Sequence, residues 1–277
     1  MTPVAKALWF IERMLERDLS LTEIARASGV SRYYLLRAFG ATTGHTVMRY
    51  LRLRRLSKAA ETLAAGAPDI LGVALATGYG SHEAFTRAFR AQFGRTPETV
   101  RAQASLADLA LVEPFIMDQS LIVDLQPPRF ETGRALLIAG LGDRFTFETN
   151  QGIPLLWQRL VPYLGHIAGQ IGWVTYGVCC NGDGSGAFDY VAGVEVARFD
   201  ELPPELTKLR LPEQRYAVFT HRGHISGIRA TTYTIWNKWL PDSGRKLAKA
   251  PDFERYDDRF DPKTASGEVE IWLPIAD

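Results

Sequence analysis

The sequence predicts a multidomain chain. An all-α domain with two helix-turn-helix units spans residues 1–105, a linker spans 106–128, and a pseudo-symmetric α+β domain of two β-α-β-β halves spans 129–277. Three observations carry this. A segment of the first hundred residues repeats itself without a gap. The hydrophobic period changes from helical to two near Leu136. Charge divides as well: residues 1–105 hold 15 Lys and Arg against 8 Asp and Glu, and residues 106–277 hold 17 against 23, within an overall net charge of +1. Such asymmetry suggests a nucleic-acid-binding segment joined to something else.

Taken in order, Val4, Leu8, Ile11 and Leu15 recur at helical spacing. Ser20, with Glu23 three residues on, opens a short helix through a capping box, and Gly29 ends it. Ser31 caps the next helix, with Leu35 and Phe39 on its inner face and Gly44 at its end. A longer helix runs from Thr46 to about Ala65, strongly basic in its first half. The pattern then recurs: "SRYYLLRAFGATTG" matches "SHEAFTRAFRAQFG", with Ser31/Ser81, Arg37/Arg87, Ala38/Ala88, Phe39/Phe89, Ala41/Ala91 and Gly44/Gly94 identical. Ile24, Ala25, Ser28 and Gly29 find counterparts in Val73, Ala74, Thr77 and Gly78. The repeated unit is a short helix, a Gly-containing turn and a Ser-capped helix, which is a helix-turn-helix.

Pro114, Pro127 and Pro128 interrupt the join. Beyond it, "ALLIAGLG", "WVTYGVCC", "DYVAGVEVARF", "RYAVFTHRG" and "GEVEIWLPI" read as strands, and "IPLLWQRLVPYL" and "ISGIRATTYTIWNKWLP" as helices. The order strand–helix–strand–strand occurs twice, which sets Trp157 against Trp236 and Tyr176 against Tyr256. "CNGDGSGAF" lies between two strands and reads as a hairpin loop rather than a phosphate cradle.

Composition excludes several classes. At 46% apolar and 23% charged, the chain is neither collagen-like nor disordered. Cys179 and Cys180 are adjacent and build no disulfide framework; packing in a sheet is expected of them. His221 and His224 form H-x-x-H without acidic partners at ligand spacing, a weak zinc signal. No apolar run reaches a membrane span, and the charged first twenty residues do not read as a secretory signal, so a cytoplasmic protein without a membrane partner is expected. No nucleophile elbow or metalloprotease motif appears, so no catalytic residues, metal or cofactor are expected.

A recognition helix must be slim, capped and basic at one edge to enter a major groove. With Leu35 and Phe39 inward, Arg32, Tyr33, Leu36 and Arg37 face outward; with Phe85 and Phe89 inward, His82, Glu83, Thr86 and Arg87 do. Arg grips guanine through two hydrogen bonds, Glu accepts from cytosine, and Tyr or Leu touches a thymine methyl. Arg49, Arg52, Arg54, Arg55, Lys58, Arg95 and Arg101 are available for phosphates. The spacing suits adjacent grooves of double-stranded promoter DNA. These residues, from "LSLTEIARASGVSRYYLLRAFG" to the closing "FGRTP", resemble the DNA-binding domain of the AraC/XylS family of transcription regulators over about residues 5–101. The resemblance implies that Tyr33, Leu36, Arg37, His82, Glu83 and Arg87 read bases.

In the second half, alternation puts Phe253 and Arg255 on one side of a strand and Glu254 and Tyr256 on the other. A carboxylate beside aromatics suits a lipophilic cation, because the rings supply cation–π attraction and the carboxylate the counter-charge. Trp157, Trp173, Tyr176, Tyr190, Tyr216 and Trp236 are the candidate walls. "RYAVFTHRGHISGIRATTYTIWNKWLPDSG", "PDFERYDDRFDP" and "GEVEIWLPI" resemble the GyrI-like effector-binding domain, and the domain order resembles that of the Rob-type regulators. The resemblance implies a cationic ligand meeting Glu254 in a groove between the halves. The expected protein is a transcription regulator that senses a cationic or amphipathic effector and alters its contact with DNA or RNA polymerase. The alternatives are a hydrolase using Glu254 as a general base, and an interaction domain without a ligand pocket.

Overall fold

A computed structural model describes residues 1–182 and 186–276. The chain divides into two compact units, Met1–Met117 and Asp118–Asp277.

The first unit is helical: α1 Pro3–Arg13, α2 Leu21–Ser28, α3 Arg32–Thr43, α4 Val47–Ala64, α5 Ile70–Ala76, α6 His82–Phe93 and α7 Pro97–Gln103. The ends follow local chemistry. The Ser20–Glu23 capping box is formed on both sides, and Ser31 and Ser81 accept from the amides of Tyr34 and Ala84. Gly29, Gly44 and Gly94 close α2, α3 and α6 in the left-handed region, with φ of 74°, 73° and 69°, a conformation a side chain penalises. The amphipathic faces build two small cores. Ile24, Leu35, Phe39 and Leu51 are buried in the first half of the unit, where the Phe39 and Tyr50 rings meet edge to face at 5.6 Å. In the second half Phe85 and Phe89 lie with Leu56, Leu63, Val73 and Val100. Removing either fully buried ring to Ala costs about 3–5 kcal/mol. α4 contributes to both halves and, with 18 residues, is about 27 Å long.

Residues 106–117, expected within the linker, lie against this unit. Leu109 is buried with the second core, Ser57 accepts from the Val112 amide at 2.9 Å, and the Tyr50 hydroxyl accepts from the Phe115 amide at 2.9 Å. The rest of the expected linker belongs to the second unit, where the Val123 amide donates to Thr234.

Among the described residues the second unit is one curled antiparallel sheet of ten strands: β1 Arg129–Gly133, β2 Leu136–Thr146, β3 Gln170–Cys180, β4 Ala187–Val196, β5 Thr207–Leu211, β6 Gln214–His224, β7 Lys246–Leu247, β8 Asp252–Tyr256, β9 Phe260–Asp261 and β10 Ser266–Ala276. Its main path is β1-β6-β10-β8-β3-β4-β2-β5. The first half contributes β2, α8 (Ile153–Leu160), β3 and β4. The second contributes β6, α9 (Ile228–Thr234) with a π turn at Ile235–Trp239 and α10 (Leu240–Ser243), then β8 and β10. The halves join where β3 pairs antiparallel with β8. Side chains on one face of the first half's strands, among them Leu141, Tyr190 and Val194, are buried with Leu156 and Leu160 of α8. The other face carries a second cluster with Tyr176, Tyr216, Phe253 and Trp272. β3 and β4 form a hairpin; the centre of the predicted loop, residues 183–185, lies outside the described residues.

Candidate functional site

α3 and α6 carry the two predicted reading sets. Arg32, Glu83 and Arg87 are exposed, and Tyr33, Leu36, Arg37 and His82 are half-buried. Two positions are more engaged than their spacing suggested, and a third is more buried. The Glu83 carboxylate accepts from its own amide and from Ser81, which holds it below its ordinary value. His82 Nε2 lies 2.9 Å from Glu98 of α7. Thr86 departs from the expected outward set: its hydroxyl is buried without a hydrogen-bond partner among the described residues. One turn on from His82, Thr86 stands beside the buried Phe85 and leans toward the packed side.

Two of the predicted phosphate arginines are structural. Arg54 is 6% exposed. Its Nε and Nη2 donate to Glu12 at 2.9 and 3.0 Å, and its Nη1 donates to the Val112 carbonyl. Tyr50 donates to the same Glu12 at 2.7 Å. Arg55 donates to the carbonyls of Leu15 and Arg17, which ties α4 to the α1–α2 connection. Arg52 is exposed on the same helix.

In the second unit the structure gathers four of the eight predicted ligand residues. Glu254 Oε2 accepts from the Tyr190 hydroxyl at 2.8 Å and from the Tyr256 hydroxyl at 2.9 Å. Trp157 of α8 donates through Nε1 to the Tyr190 oxygen at 3.0 Å, and its ring meets Tyr256 edge to face at 5.1 Å. Burial pushes the Glu254 carboxyl above its ordinary value, against the pull of both tyrosine bonds. Burial first, and then the Glu254 carboxylate, push the Tyr190 and Tyr256 phenols well up. Glu254 has no Lys or Arg partner among the described residues, so its charge is met by neutral donors alone.

The other four stand elsewhere. Tyr176 pairs with Arg255, and Gly177 with Glu254. Because side chains alternate across a strand, Tyr176 therefore faces away from Glu254. It packs with Phe253 at 6.0 Å, and Tyr216 packs with Phe253 and Trp272 at 5.3 and 5.5 Å on that same face. Trp173 is 75% exposed, with its ring over Gly165. Trp236 is buried on the π turn.

Gly177, not among the predicted residues, also belongs to this site. A Cβ there would stand 2.0 Å from the Tyr190 hydroxyl and 2.8 Å from Glu254 Oε2. The available signal was a glycine interrupting the strand "WVTYGVCC", which marks close approach of another group. Cys179, two residues on, lies near enough to bear on both Tyr190 and Tyr256. His221, by contrast, is committed to the fold: its Nδ1 and Nε2 lie 2.9 Å from Thr231 Oγ1 and 3.1 Å from the His224 carbonyl.

Comparison with known proteins agrees with this division. The family model of the GyrI-like small molecule binding domain matches residues 126–276, and a helix-turn-helix domain model matches residues 24–103. The transcriptional regulator Rob of Salmonella typhimurium is 27% identical over 97% of this chain and 96% of its own length. The transcriptional regulator BrlR of Pseudomonas aeruginosa is 36% identical over 43% of this chain and 45% of its own. The regulatory protein SoxS of Escherichia coli is 38% identical over 33% of this chain and 86% of its own. No helix among the described residues is long and apolar enough to cross a membrane. The chain belongs to the GyrI-like family, in the Rob-type arrangement, and is a DNA-binding transcription regulator with an AraC-type helix-turn-helix domain.

Proposed function

We propose that this regulator acts in the cytoplasm as a sensor of lipophilic cations. On this reading α3 and α6 bind promoter DNA through Arg32, Tyr33, Leu36, Arg37, His82, Glu83 and Arg87. The effector binds at Glu254, between Tyr190, Tyr256 and Trp157, and alters the chain's contact with DNA or RNA polymerase. The observation that carries it is a half-buried carboxylate with aromatic neighbours and no basic partner among the described residues. Such a group is desolvated without a counter-ion, and a cation offering apolar surface supplies both charge and stacking.

The chain is read as a sensor and not as an enzyme, because its ligand domain is fused to a DNA-binding domain. Titration of tryptophan fluorescence with benzyltributylammonium tests the site in wild type and Glu254→Gln. Saturable quenching that weakens in the variant supports it. Equal quenching in both, or none in wild type, refutes it. Product accumulating beyond one equivalent of protein with a hydrolysable cation would replace the sensor reading with an enzymatic one.

A further inference from the structure

We propose a second ligand site on the opposite face of the same strand pair, selective for a small aromatic anion. A cleft of about 230 Å³ opens there, walled by Tyr176, Tyr216, Phe253 and Trp272, with Arg134 and Arg255 beside them. Its size lies between a cavity of about 150 Å³ that holds a benzene and the roughly 300 Å³ at which drug-sized pockets begin. One or two fused rings fit.

The walls suit flat rings. Phe253 and Trp272 stack at 5.1 Å with 17° between their planes, and Tyr176 and Tyr216 meet Phe253 edge to face. Gly133 is part of the lining, and a Cβ there would stand 3.1 Å from the Tyr216 ring, so the aromatic wall closes up against bare backbone.

Charge selects the sign. Three acids near this wall are engaged by guanidinium groups, and Asp252, which helps raise the Tyr216 phenol, stands outside the lining. Glu195 takes Nη1 and Nη2 of Arg134 at 2.6 and 2.7 Å, while Asp257 and Glu270 take Nη1 of Arg255 at 2.7 and 3.2 Å. No carboxylate is part of the lining itself. A guanidinium carries five N–H donors in a planar fork, and the Arg134 pair leaves its Nε outside. Arg134 is 66% exposed along its side chain, so an anion reaches it from solvent. One buried polar atom also points to a ligand. The Tyr216 hydroxyl has no hydrogen-bond partner among the described residues, although Tyr216 is 1% exposed. A buried donor left unmet is destabilising, and an acceptor atom on a ligand would meet it.

Neighbouring residues on β8 thus present opposite charges to opposite faces: Glu254 toward Tyr190, and Arg255 toward this cleft. The two sites take ligands of opposite charge and do not compete.

Calorimetric titration of the full chain with 2-naphthoate tests this. The neutral 2-naphthalenemethanol is the control, and wild type is compared with Arg134→Gln and Glu254→Gln after each variant's melting curve has been checked. The expected result is one-to-one 2-naphthoate binding that is roughly tenfold weaker for Arg134→Gln, for the loss of a charge-assisted bond. Binding should be unchanged in Glu254→Gln and unaffected by saturating benzyltributylammonium. Absence of binding at millimolar 2-naphthoate overturns the proposal. So does displacement by the cation, loss in Glu254→Gln, or equal binding by a folded Arg134→Gln. Should Arg134→Gln fail to fold, the alcohol decides on wild type alone: binding as tight as that of the carboxylate overturns the anion selectivity.

Discussion

Gly177 and Glu254 are register partners on β3 and β8, and the bare Cα of the first makes room for the hydrogen bonds of the second. With any side chain at 177, the Tyr190 hydroxyl and the Glu254 carboxylate cannot keep their present places. Gly177→Ala should destabilise the second unit by about 1–3 kcal/mol through overpacking. It should also weaken benzyltributylammonium binding by at least roughly tenfold as the Tyr190–Glu254 bond is lost. Chemical denaturation and fluorescence titration of the same sample separate the two effects. A variant that keeps both stability and affinity removes Gly177 from the site.

Glu254 itself should be a stability liability. Its carboxyl is raised in the folded chain, chiefly by burial. The folded state then holds the proton to higher pH than the unfolded chain does, so stability falls as pH rises through the folded value. Glu254→Gln imitates the protonated group. It should melt higher than wild type at neutral pH, and the difference should shrink as pH is lowered toward the carboxylate range. Melting curves across that range check the sign; a variant less stable at neutral pH contradicts it.

For DNA, Arg37→Ala and Arg87→Ala should each weaken specific binding by about 1–3 kcal/mol and relax preference at the bases they meet. Mobility-shift titrations at fixed salt measure this. Unchanged binding in both variants would dismiss α3 and α6 as the reading helices.

Arg54→Ala should behave differently. Breaking a buried ion pair costs about 3–5 kcal/mol, and because Glu12 keeps about a quarter of its side chain in solvent the lower end is expected. The loss should appear in denaturant unfolding of the helical unit, while the salt dependence of DNA affinity keeps the same slope. A reduced slope with intact stability would return Arg54 to the phosphate contacts.

What could be read in advance was what chemistry settles within a few residues. Ser20, Ser31 and Ser81 bond to amides three positions on, and Gly44 and Gly94 end their helices by a local turn, so the repeated unit was visible in the sequence. The shared face of Glu254 and Tyr256 followed from strand alternation alone. Long-range pairing was not legible. Nothing near Arg54 announces Glu12, forty-two residues earlier, so Arg54 read as available for phosphates along with its neighbours. Tyr176 and Tyr256 looked equivalent by repeat, yet the register sets Tyr256 against Thr175 and turns Tyr176 to the other face. The short strands β1 and β5 escaped notice because Arg129–Gly133 and Thr207–Leu211 are edge segments with largely polar or exposed residues.

α3 and α6 are unequal at their first turns. α3 begins with Arg32 and has no acid there, whereas α6 carries Glu83, folded back onto its own amide and Ser81. A helix start bears partial positive charge, and an acid there neutralises it. The start of α3 therefore keeps its partial charge unmet by an acid, while that of α6 is partly met by its own carboxylate. On the proposed reading, a promoter element is then not met by two equal halves. The half met by α3 should lose more affinity as ionic strength rises. The half met by α6, whose helix start is already partly neutralised, should change less.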